Sequence, residues 1–202
     1  MKKIIAALVF FNSFSLIAQN KDSLGLLTSG IAKYNSSNWQ AAIVDLNRAI
    51  ELNGKNDEAY YYRGNTKQGL YDFSGAMADY NKAIELNPKY AFAYKDRGKI
   101  KARLQDYRGS IVDFSKAIEL KPDFNDAYFN RGASYSNLKE FPKAISDYSK
   151  VIELNPKDFE AFYHRGNCKQ STGDKTGACA DWSKSGELGY QKAYDTIKKS
   201  CN

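Results

Sequence analysis

Five glycines stand at one interval. Gly30, Gly64, Gly98, Gly132 and Gly166 are each 34 residues apart. A fixed period of this size restricts a chain to stacked copies of one supersecondary unit. Other columns hold the same register. Four residues before the glycines stand Leu26, Tyr60, Tyr94, Tyr128 and Phe162. Twelve after come Ala42, Ala76, Ser110, Ala144 and Ala178, and sixteen after come Leu46, Tyr80, Phe114, Tyr148 and Trp182. Nineteen after are Ala49, Ala83, Ala117, Val151 and Ser185, and Pro88, Pro122 and Pro156 follow at 24 in three copies.

Within a copy the apolar period is helical. Tyr60, Gly64 and Lys67 share one stripe, and Ala76, Tyr80, Ala83 and Ile84 make a second at i, i+4, i+7, i+8. Gly69-Leu70-Tyr71-Asp72 separates them as a break with a helix-ending glycine. Asn87-Pro88 closes the second helix, because the residue before proline avoids helical geometry. Each copy therefore reads as a helix hairpin. The glycine and the small residue at +12 let two backbones approach, and the rings at −4 and +16 are expected to fill space between hairpins.

These columns resemble the tetratricopeptide repeat (TPR) family, whose pattern runs Trp-x2-Leu-Gly-x2-Tyr, then Ala-x3-Phe, then Ala and Pro. Units fall at 23–56, 57–90, 91–124, 125–158 and a degenerate 159–192, after a short linker at 19–22, with a capping helix in 191–202. The resemblance implies an all-α fold: five hairpins in a right-handed superhelix, an α-solenoid with a concave groove, closed by the C-terminal cap. Departures are visible. Gly54 stands at a proline position, Tyr190 replaces the last proline, and Ser185 and Gly186 weaken the packing of the fifth unit. The leucine before the glycine is Ser29 in the first unit and Arg63, Arg97, Arg131 and Arg165 in the others.

Those arginines meet a second charged column: Asp45, Asp79, Asp113, Asp147 and Asp181, fifteen after each glycine. Pairing between units (Asp45 with Arg63, Asp79 with Arg97, Asp113 with Arg131, Asp147 with Arg165) is the favoured ladder, since it explains Ser29. Pairing within units is the competitor. Half-buried pairs of this kind fix geometry more than they add stability.

The first residues read as an address. Lys2 and Lys3 precede an apolar stretch from Ile4 to Ile17, and Ala18 offers a small residue before Gln19. That is the form of a secretory signal peptide over 1–18, cut after Ala18. An exported chain in the periplasm or outside the cell is expected, with no membrane span after cleavage and, without a cysteine near the cut, no lipid anchor. Three cysteines fall in the last 35 residues: Cys168, Cys179 and Cys201. In an oxidising compartment an odd number leaves one over. A cap running back antiparallel brings Cys201 to Cys179. A Cys168–Cys179 bond and three free thiols are the alternatives. The stretch Gly177 to Trp182 with a terminal cysteine looks like the end of secreted bacterial TPR proteins.

Composition excludes more than it selects. With 43% hydrophobic and 26% charged residues the chain is of globular type. The charge of +7 comes from interleaved residues, so no nucleic-acid partner is expected. The lone His164, the absence of a phosphate loop and the absence of CxxC spacing point to no catalytic site, no metal and no cofactor. The positions three before and one after each glycine turn towards the inner wall: Leu27 and Ile31, Tyr61 and Asn65, Lys95 and Lys99, Phe129 and Ala133, Tyr163 and Asn167. Aromatics, amides and two lysines suit a peptide or protein segment. In TPR domains that clamp a C-terminal carboxylate, lysine and asparagine recur on this wall. Lys95 and Asn130 match, whereas Lys99, Glu160 and His164 depart. The expected function is a non-enzymatic scaffold that binds a peptide or protein segment in its groove. The alternative is a structural, self-assembling envelope protein with no fixed peptide ligand. Neither the partner's identity nor the oligomeric state is written in the sequence.

Overall fold

The computed structural model describes the backbone of residues 2–201 and the side chains of residues 19–201. The expected leader over 1–18, with its cut after Ala18, lies outside the described side chains. All regular structure among the described residues is helical: α1 (Lys2–Asn35), α2 (Trp39–Leu52), α3 (Asp57–Gly69), α4 (Phe73–Leu86), α5 (Ala91–Arg103), α6 (Tyr107–Leu120), α7 (Asn125–Asn137), α8 (Phe141–Leu154), α9 (Phe159–Ser171), α10 (Lys175–Glu187) and α11 (Gln191–Ser200). The fold is all-α, with helices paired as hairpins and α11 as a cap. Among the described residues no helix is long and apolar enough to cross a membrane.

The chain forms two compact units, residues 1–93 and 94–202. In the first, Leu27, Ala42, Leu46, Ala49 and Ala59 make one buried cluster, flanked by Leu26, Ile31, Tyr34, Ile50 and Tyr62. In the second, Ala144, Tyr148 and Cys168 form one cluster, and Tyr163, Ala178, Trp182 and Ala193 another. Each hairpin closes through its glycine. A Cβ at Gly64 would lie 2.7 Å from the Tyr80 ring, one at Gly98 2.9 Å from Phe114, and one at Gly166 2.7 Å from Trp182. The +16 ring therefore lies on the backbone of its own hairpin, and at Tyr148 it also packs between hairpins as the sequence suggested, against His164 and Cys168.

Helix starts are set locally. Asp72, Asp106 and Asp174 cap α4, α6 and α10 by accepting from the amides of Gly75, Gly109 and Gly177. A Cβ on any of these three glycines would fall 2.1 Å from the capping carboxylate. The turns between paired helices also repeat. Ser37, Tyr71, Gln105, Lys139 and Gly173 all have positive φ, from 59° to 88°. The first helix of the second hairpin ends at Gly69, as the sequence suggested, and the left-handed residue that follows is Tyr71. Gly69 serves a different need: a Cβ there would sit 2.9 Å from the Trp39 indole.

The fifth hairpin is better packed than its sequence implied. Ser185 is fully buried and donates to the Phe159 carbonyl at 2.8 Å. Gly186 makes room for the Tyr194 ring, which a Cβ would meet at 3.0 Å. These departures from the pattern accommodate the cap rather than weaken the unit.

The tightest hairpin contact gives a test. Tyr80 is held by hydroxyl contacts to Asn65 and Gln68 at 2.6 and 2.9 Å, so its ring cannot swing away. Gly64→Ala gains about 1 kcal/mol of helix propensity but overpacks this site at about 1–3 kcal/mol. A net fall in the urea midpoint is expected, partly restored when Tyr80→Phe frees the ring.

Candidate functional site

The residues expected to line an inner wall lie on the first helix of each hairpin, and the charged columns tie that helix to its partner. Arg63 makes a bidentate pair with Asp79, through Nε at 2.9 Å and Nη2 at 2.6 Å. Arg97 pairs with Asp113, Arg131 with Asp147 and Arg165 with Asp181 in the same geometry. The favoured between-unit ladder is therefore wrong. Arginine and aspartate sixteen apart face each other across one antiparallel hairpin, and the carboxylate is used up there. Asp45 is not orphaned: Ser29 and Lys33 both donate to it, and those bonds hold its carboxyl below the ordinary carboxylate range.

The arginine does cross between hairpins, by its remaining nitrogen. Nη1 of Arg63 donates to Asn47 at 2.9 Å, and Nη1 of Arg131 and Arg165 to Ser115 and Ser149 at 3.0 Å. Each arginine also lies over the ring at −4: Arg63 over Tyr60, Arg97 over Tyr94, Arg131 over Tyr128, Arg165 over Phe162, all within 5.5 Å. Burial works against the Arg131 charge, but Asp147 outweighs it and holds the guanidinium pKa above its ordinary value.

Much of the predicted wall is spent on this packing. In the first unit Leu27 is 3% exposed, inside the core and not on a groove. Ile31 leans on the same cluster. Asn65 takes the Tyr80 hydroxyl contact. Tyr61 sits in a group of rings, 5.3 Å from Tyr62, 6.0 Å from Tyr80 and 4.8 Å from Tyr90. In the second unit Tyr163 is 8% exposed, beneath the cap, and so is also core. Asn167 accepts from the Trp182 indole at 3.0 Å. Asn130 donates to the Asp126 carbonyl of its own helix. Phe129 packs edge-on to Tyr148 and His164. Ala133 is half-buried.

Two predicted residues keep a distinct character. Lys95 and Lys99 share Asp96, at 3.1 and 3.9 Å, and Lys95 lies 5.5 Å from the Phe124 ring. Burial lowers the Lys99 pKa, and the neighbouring Lys95 adds to the effect. This corner suits an acidic group.

His164 is a packing residue. Tyr148 stacks on it at 5.7 Å and Phe129 and Tyr163 meet it edge-on. Cys168 is buried and free, 3.6 Å from the Ser136 hydroxyl, and burial raises its thiol pKa. Cys179 and Cys201 are disulfide-bonded, with Cα atoms 5.9 Å apart. Among the described residues no group of three His, Cys, Asp or Glu could hold a metal ion.

Three stretches match tetratricopeptide-repeat family models: residues 57–90 and 126–158 (tetratricopeptide repeat) and 98–139 (TPR repeat). None of the curated proteins matches in sequence. Solved structures of similar fold include the MamA protein, 23% identical, covering 86% of this chain and 95% of that one with a TM-score of 0.77. YrrB, a TPR protein with an unusual peptide-binding site, is 19% identical over 93% and 97%, TM-score 0.79. PilF of Pseudomonas aeruginosa is 16% identical over 86% and 79%, TM-score 0.76. At these identities the likeness is one of fold.

Two measurements test the wall's framework. Asp113, 1% exposed, answers both Arg97 and Lys101, whereas Asp147 answers Arg131. Asp113→Ala strands two cations and should cost about 3–5 kcal/mol, with Asp147→Ala costing less, in paired urea titrations. Burial pushes the His164 pKa down, against the pull of Glu160, so the unfolded chain binds that proton more readily. Its contribution is complete above the unfolded value of about 6.5 and is lost as pH falls towards the folded one. Between pH 7.5 and 5.5 the wild type should lose stability more steeply than His164→Phe.

Proposed function

We propose that this tetratricopeptide-repeat chain is a non-enzymatic envelope scaffold that joins proteins, including copies of itself, through its helical surfaces and holds no fixed peptide in its groove. One observation carries the reading: the residues that would form a peptide site are already used by the fold. Leu27 and Tyr163 are core, and Asn65, Asn167 and Asn130 spend polar atoms on Tyr80, Trp182 and their own helix. A site whose polar groups are satisfied internally has little left for a ligand.

Outward-facing apolar residues support contact elsewhere. Val44 and Val112 occupy the same repeat position and are 63% and 67% exposed, and Leu104 is 62% exposed. Such side chains favour association when they meet a complementary surface. Export is part of the proposal. The Lys2-Lys3 and apolar leader argues for it, and the Cys179–Cys201 disulfide suits an oxidising compartment. The mature chain would start at Gln19 and work in the periplasm or outside the cell.

A groove reading is favoured by the Lys95–Lys99 corner alone, and one experiment separates the two. Residues 19–202 are analysed by light scattering across a concentration series, and the same chain is used to capture partners from envelope extract. Mass that rises with concentration, with capture unchanged by Tyr61→Ala plus Lys95→Glu, supports the surface scaffold. A concentration-independent monomer whose partner is lost in that double variant overturns it.

A further inference from the structure

The cap is joined to the last hairpin differently from the way hairpins are joined to one another. Within the second unit, Arg131 and Arg165 each reach back to a serine of the preceding hairpin. The position 34 after Arg165 is Lys199, and it is exposed. The position 34 after Ser149 is Ser183, also exposed. The arginine clasp is therefore missing between α10 and α11.

Apart from the Tyr194 ring lying on Gly186, what remains between the cap and the last hairpin is thin. Ala193 is the one fully buried residue of α11, Ile197 is half-buried, and Tyr194 is 50% exposed. A weak polar contact joins the Tyr163 hydroxyl to Thr196 at 3.3 Å, and the Lys192 ammonium lies 5.6 Å from the Tyr163 ring. The covalent bond sits at the far end of the cap, where Cys201 follows the last turn of α11 and Cys179 lies in the second turn of α10. A short amphipathic helix with one buried residue is marginal by itself. The disulfide closes the loop between Cys179 and Cys201, so an undocked cap stays close to its seat and is held down.

The bond is also reachable. Cys179 and Cys201 are only half-buried and open onto a surface cleft of about 320 Å³, lined by Lys175, Thr176 and Ser200 as well. A lysine beside a disulfide favours an approaching thiolate and the thiolate that leaves. Cys168 is buried in a different cluster, against Tyr148 and Ala144, so it takes no part.

We propose that the Cys179–Cys201 disulfide is a redox latch on α11. Opened by a dithiol reductant, it lets the cap leave and uncovers the Tyr163–Ala178–Trp182 face of the last hairpin as a contact surface. A thiolate of the dithiol attacks one sulfur, the Cys179–Cys201 bond breaks, and a mixed disulfide forms. The second thiol of the reductant then displaces that cysteine. Two electrons pass to the protein, the reductant leaves as a cyclic disulfide, and its two protons end on Cys179 and Cys201. The uncovered face fits a helix that presents a small residue and an aliphatic one four later, as Ala193 and Ile197 do. In an oxidising compartment the latch is shut, and the terminal hairpin is screened.

Hydrogen exchange on the full chain, before and after treatment with dithiothreitol, tests this. Amides of 191–200 should exchange at least tenfold faster once the mass confirms reduction, while 125–158 keep their rates, and reoxidation should reverse the change. In a Trp39→Phe background, acrylamide should quench Trp182 only after reduction, and Cys201→Ser should behave as the reduced protein. Unchanged protection of 191–200 in verified reduced protein overturns the latch. So does loosening that spreads through 159–187, because the bond would then be a staple of the whole hairpin.

Discussion

Everything in this chain rests on a ring or aliphatic side chain lying on a glycine of the same hairpin. Gly30 takes Leu46, Gly64 takes Tyr80, Gly98 takes Phe114 and Gly166 takes Trp182, each at a distance that leaves no room for a Cβ. The contact sets how closely the two helices approach, and from that follow the angle of the first helix and the direction of its inner face. Because the +16 side chain changes size from leucine to tryptophan while its seat stays glycine, neighbouring positions absorb the difference. Asn65 and Asn167, one residue after the glycine, accept from the polar ends of Tyr80 and Trp182. Where the +16 side chain is Phe114, with no polar tip, the same position is Lys99.

The arginine column adds a second constraint at right angles to the first. One guanidinium gives two donors to its own hairpin's aspartate and, at Arg63, Arg131 and Arg165, a third to the preceding hairpin's serine or asparagine. The ring at −4 lies beneath it. A buried charge held by this many partners is costly to misplace, so it specifies register. The first hairpin substitutes Ser29 and Lys33 on Asp45. At the other end the clasp lapses between α10 and α11, and a disulfide stands in its place.

This economy bears on function. A repeat wall is often pictured as a free surface decorated with ligand-binding side chains, but here its amides and rings are largely committed to the fold. The corner of Lys95, Lys99 and Asp96 is the part of the wall where charge is crowded and desolvated. Apolar side chains that remain in solvent include Val44, Leu104 and Val112.

The sequence by itself determined the unit. A 34-residue register of glycine, small residues and rings can be satisfied only by helix hairpins, because only a helix brings i, i+4 and i+7 to one face. It also put Cys201 within reach of Cys179, although a Cys168 bond and three free thiols stayed open. Partner choice was decided by tertiary structure. Whether Arg63 met Asp45 or Asp79 depended on how two antiparallel helices align across a hairpin, and spacing of 16 or 18 residues cannot distinguish the two. The left-handed turn column was hidden because Tyr71, Gln105 and Lys139 are not turn residues by type. Leu27 and Tyr163 were misassigned to the wall for a related reason. Helical phase says which way a side chain points, and only the neighbouring helix, or the cap, decides whether water is there.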